Sequence, residues 1–127
     1  MKVLVLEAEQ GVADEAVHNL RAAGHDVFWC HEPGGRLFPC GGLVRGSACP
    51  LVEERIDVAL TVRSKPDGRI LPLEDGVACV LHCRVPLVVA GAPSGNPYEG
   101  LHTLVIEGDE VVGVCEQAAL GAATPAA

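Results

Sequence analysis

The first thirty residues read as a strand, a helix and a second strand, and that unit leaves few folds open. "KVLVLE", Lys2 to Glu7, is a continuous run of Val and Leu without alternation, as a parallel strand buried on both faces requires. The period then changes: Val12, Ala13, Ala16, Val17, Leu20 and Ala23 recur at helical spacing. Asp14 and Glu15 sit near the favourable N-terminus, Arg21 falls in the last turn, and Gly24 is placed to end the helix in a left-handed cap. "HDVFWC" follows as a second strand. Two strands joined by a helix imply a right-handed crossover and a parallel sheet.

The remaining chain repeats this grammar. "IDVALTVR", Ile56 to Arg63, reads as a third strand, "LEDGVACVLHCR" as a short helix from about Glu74 to Arg84, and "VPLVVAGA" as a fourth strand. "PSGNPYEG" is turn chemistry, "HTLVIE" a short fifth strand, and "DEVVGVCEQAAL" a closing amphipathic helix with Asp109 near its N-cap. The chain has 127 residues, the size of one domain, and 49% of them are apolar but only 3% aromatic, so its core must be built from Val, Leu, Ile and Ala. The expected fold is α/β: a single-domain, doubly wound parallel five-stranded sheet over residues 1–120, flavodoxin-like or receiver-like. A long Cys/Gly/Pro-rich loop, residues 31–55, follows strand 2, and residues 121–127 form a flexible tail. Ligands of such folds sit at the carboxyl ends of the strands, here Glu7 to Gln10, Cys30 to Glu32, Arg63 to Lys65, Ala90 to Pro93 and Glu107.

A net charge of −8 argues against a nucleic-acid backbone as partner. Its distribution says more, because residues 85–127 carry no basic group while residues 33–84 carry seven. Arg36, Arg45, Arg63, Lys65 and Arg69 belong to that central set and are the candidate residues for holding a small anion or nucleotide at the strand ends. Solvated loop charge is the plainer reading of the same cluster. No apolar run reaches a membrane span, and "MKVLVLEAEQ" lacks the apolar core and cleavage site of a signal peptide, so no membrane association and a cytoplasmic location are expected.

The element order resembles the receiver domain of bacterial response regulators over nearly the whole chain. "KVLVLEAE" stands where receivers place a strand ending in an acidic pair, and "HTLVIEGDEVVGVCEQAAL" where they place the last strand and helix. The resemblance implies an aspartate at the end of the third strand to accept phosphate, but "DVALTVR" ends in Arg63. The hydroxyl expected after the fourth strand would fall near Ala90 or Ala92, and the lysine after the fifth near Ile106 or Glu107. The chain thus resembles a pseudo-receiver. A dinucleotide-binding unit would also suit the opening residues, but "EAEQGVAD" supplies only Gly11 of the glycines that motif needs.

"CHEPGGRLFPCGGLVRGSACP", Cys30 to Pro50, is the segment that this resemblance does not explain. Cys30, His31, Cys40 and Cys49 together offer the donor set of a tetrahedral zinc site, although gaps of nine and eight residues are not those of a zinc knuckle. Residues 31–55 contain five glycines, and so long an irregular segment needs a tether that an ion or a Cys40–Cys49 disulfide would give. Cysteines packed in small niches are the third reading. Core packing is also expected for Cys79, Cys83 and Cys115, and sheet-face packing for Phe28 and Trp29. His18, His25, His82 and His102 have no partner at motif spacing.

Two functions compete. The first is a non-catalytic regulatory or interaction domain whose partner is another protein, a second copy of this chain included. The second is a small-anion or nucleotide-binding protein or enzyme subunit using the basic residues named above. A thiol enzyme built on Cys30 and His31 fares worse, because adjacent strand residues point to opposite faces.

Overall fold

Strand β1 (Lys2–Glu7) lies inside the sheet with a parallel neighbour on each side, as its unbroken apolar run requires. The computed structural model describes residues 1–30, 49–63, 76–91, 104–106 and 110–123. Within them follow α1 (Asp14–Ala22), β2 (Asp26–Trp29), α2 (Pro50–Glu53), β3 (Val58–Val62), α3 (Gly76–His82), β4 (Leu87–Ala90), β5 (Leu104–Ile106) and α4 (Val111–Ala123). Four strands of four to six residues carry the sheet, and β5 is a three-residue piece aligned with β4. All pairings are parallel, in the order β2-β1-β3-β4-β5, which is compatible with a flavodoxin-like arrangement.

The core lies in two layers, one on each face of the sheet. Val3 and Val5 of β1, Val58, Leu60 and Val62 of β3, and Val88 of β4 pack with Ala16, Val17 and Leu20 of α1 and Val111, Val114 and Cys115 of α4. The intervening residues Leu4, Leu6, Ala59, Leu87 and Val89 pack with Val77 and Val80 of α3. Strand alternation thus sends successive apolar residues into different layers. Helix α1 carries the chain from β1 out to β2, and α3 carries it in the opposite direction from β3 to β4, so right-handed crossovers place these helices on opposite faces. Phe28 and Trp29 are half-buried, one against each layer.

Helix α1 ends as its sequence indicates. Gly24 takes φ +87°, its N–H donates to the Arg21 carbonyl and the His25 N–H to the Leu20 carbonyl, which is a Schellman cap. Helix α3 closes with the same pair of bonds, Arg84 N–H to Leu81 O and Val85 N–H to Val80 O, but Arg84 holds the left-handed position at φ +57°. A side chain is disfavoured there, so Arg84→Gly should stabilise the fold by about 1 kcal/mol. Thermal unfolding of the two proteins checks this, and a lower melting temperature for the glycine variant would refute the assignment of strain.

Three sequence expectations need correction. The irregular segment drawn through residue 55 ends in a helical turn at Pro50–Glu53, which proline at the first helical positions promotes. The closing helix runs on to Ala123, because Ala122 and Ala123 continue it past Gly121; residues 124–127 lie outside the described residues. Cys79 and Cys83 do not pack in the core; both are exposed. Cys115 is buried as expected, and that burial, with Glu116 nearby, pushes its thiol up to about 12.

Polar contacts tie the amino edge of the sheet. The Lys2 backbone N–H donates to the Asp57 carboxylate at 2.8 Å, and Lys2 Nζ donates to Glu54 Oε2 at 2.6 Å, the contact that chiefly raises the lysine's pKa. His25 stands between the Met1 amino group, 3.1 Å from Nδ1, and Glu116 Oε1, 3.4 Å from Nε2. It therefore links the start of β1 to α4. Nothing in the sequence around His25 announces partners 24 and 91 residues away.

Candidate functional site at the strand carboxyl edge

The carboxyl ends of β1, β3 and β4 are stitched together beyond the regular ladder. Ala8 N–H donates to Val62 O and Arg63 N–H to Ala90 O, both at 2.9 Å. Glu7, the last residue of β1, is only 4% exposed, and its Oε2 accepts the Ala13 N–H at 3.1 Å. Ala13 is the N-cap of α1 and has no side-chain oxygen to satisfy the first turn. The Glu7 carboxylate, from the neighbouring strand, instead takes the N–H of the N-cap residue itself and places negative charge at the helix N-terminus, which favours it.

Arg63, one residue past β3, is 1% exposed. Burial of a guanidinium at this place is unexpected from sequence, since strand-end arginines usually reach solvent. Gly91, one residue past β4, takes φ +73°, and its backbone lies against the Arg63 carbonyl so closely that an added Cβ would overlap the oxygen. The backbone on either side of Arg63 is thus held by β4 and the turn after it.

A cleft of about 150 Å³ opens at this edge between α1 and α4. Val62, Ala90 and Gly91 form its floor, Val12 and Ala16 one wall and Val111 the other, with Glu15 and Asn19 supplying its polar groups. Arg63 does not line it. An apolar cleft with a carboxylate beside it is a poor anion site.

The other predicted basic residues, Arg36, Arg45, Lys65 and Arg69, lie outside the described residues. So do His31 and Cys40 of the predicted metal set. Of its two described members, Cys30 is buried beside the start of α3, where a Cβ added to Gly76 would come within 2.7 Å of its Sγ. Cys49 is half-buried and immediately precedes α2. Among the described residues no three His, Cys, Asp or Glu side chains gather into a group that could hold a metal. Nor is any described helix long and apolar enough to cross a membrane.

Sequence reasoning placed Glu7 and Arg63 at the correct edge but missed what they do there. A carboxylate six residues before an alanine N-cap is the one local signal that could have indicated the Glu7 contact. No family model, no curated protein and no solved structure matches this chain.

Proposed function

We propose that this chain is a non-catalytic regulatory or interaction domain of receiver-like fold, whose partner is another protein. The observation that carries this reading is Arg63, buried at the end of β3 where a receiver presents its phosphate-accepting aspartate. A guanidinium has no lone pair with which to take up a phosphoryl group at neutral pH. Glu7 supports the same reading, since one carboxylate oxygen of the edge is committed to the Ala13 amide. Among the described lining residues of the cleft, Glu15 is the only charged group, which favours contact with a protein over capture of an anion.

Acetyl phosphate with Mg²⁺ should leave the protein unmodified, and intact mass reads the outcome. A stable gain of one phosphoryl group would overturn the proposal. A zinc ion held by Cys30, His31, Cys40 and Cys49, tethering the loop after β2, belongs to the same reading. One equivalent of zinc in protein purified under reducing conditions supports the tether, and its absence removes it.

A further inference from the structure

Cys79 of α3 and Cys83, one residue past its end, are a pair of exposed thiols away from the strand carboxyl edge. Among the described cysteines, Cys30 and Cys115 are buried and Cys49 is half-buried, whereas Cys79 and Cys83 both face solvent. They are four residues apart, and Cys83 N–H donates to the Cys79 carbonyl at 2.9 Å, so helical spacing holds through Cys83. The bonds from Arg84 N–H and Val85 N–H back to Leu81 and Val80 close the turn behind it. The second thiol therefore sits on a fixed turn rather than on a fraying end.

At this spacing the two Cβ atoms are about 5–6 Å apart on one helix face. With metal–sulfur bonds of about 2.3 Å, two thiolates turned toward each other can flank a single ion. Structural zinc takes four ligands, of which this pair supplies two. Copper(I) is soft, prefers thiolate, and is satisfied by two sulfur donors. Arg84, exposed directly after Cys83, places a positive charge next in the chain.

The geometry points to a two-thiolate site for copper(I) at Cys79 and Cys83. One Cu⁺ and two S–H groups give a bis-thiolate complex of charge −1 and release two protons, with no electron transferred. The site is separate from the strand edge because α3 starts beside Cys30 and runs away from it.

Anaerobic competition between the full-length protein and the copper(I)–bicinchoninate complex tests the assignment, with Cys79→Ser, Cys83→Ser and Cys49→Ser alongside the parent. Serine at the exposed positions 79 and 83 leaves the fold intact, and far-UV circular dichroism checks all three variants, the half-buried Cys49→Ser included. The tightest copper equivalent should weaken in both the Cys79 and Cys83 variants by at least about 100-fold, the upper end of what even an outer-shell change costs. It should persist in Cys49→Ser. Parent-like copper affinity in either α3 variant, or loss of that equivalent in Cys49→Ser, would overturn the site.

Discussion

Gly91→Ala should be the most damaging small substitution in this fold, costing at least about 3 kcal/mol. Two effects act together. The residue sits at φ +73°, which a side chain disfavours, and its new Cβ would overlap the Arg63 carbonyl oxygen. That carbonyl cannot retreat cheaply, because the Arg63 N–H is bonded to Ala90 O and the preceding Val62 carbonyl accepts from Ala8. Relief of the overlap would pull β3 from one of its neighbours at the edge that forms the floor of the cleft. Gly24→Ala provides the control: Gly24 has φ +87° but nothing within 4 Å of an added Cβ, so it should cost only about 1 kcal/mol. Urea unfolding of both variants separates the terms. Equal losses would mean that the close approach to Arg63 contributes nothing.

Glu7→Ala is expected to cost about 2–3 kcal/mol, since it leaves the Ala13 N–H without its acceptor in a place where water is excluded and opens a small void. Glu7→Gln keeps an amide oxygen for that bond and should cost about 1 kcal/mol or less. Hydrogen exchange locates the effect: the Ala13 amide should lose protection in the alanine variant and keep most of it in the glutamine variant. If Glu7→Ala unfolds at the parental urea concentration, the carboxylate is not what anchors the first turn of α1. Glu7 would then be available for other chemistry at the edge, and the proposal of a non-catalytic domain would lose one of its supports.

The elements of this chain were legible because their signals are local. A Val and Leu run without alternation announces β1, a helical period with Gly24 behind it announces α1, and each can be read from adjacent residues. The parallel sheet and its carboxyl edge follow from that order through crossover handedness. Helix α3 marks where this reading stops. "GVACVLH" is apolar on every side, so no periodicity chooses which stripe faces the sheet. Docking chose Gly76, Val77 and Val80, and left Ala78 and Cys79 in solvent, with Cys83 beyond them.

The sequence by itself determined the main strands and helices, their parallel arrangement, and Arg63 at the end of the third strand, because hydrophobic period and residue identity are properties of neighbours along the chain. Only the tertiary structure decided how those residues are used. It buried the Arg63 side chain, pressed Gly91 against its carbonyl, turned Glu7 onto the Ala13 amide, and set His25 between residues 24 and 91 positions away. Each depends on separations of a few ångströms between segments remote in sequence, which packing fixes and local pattern does not encode.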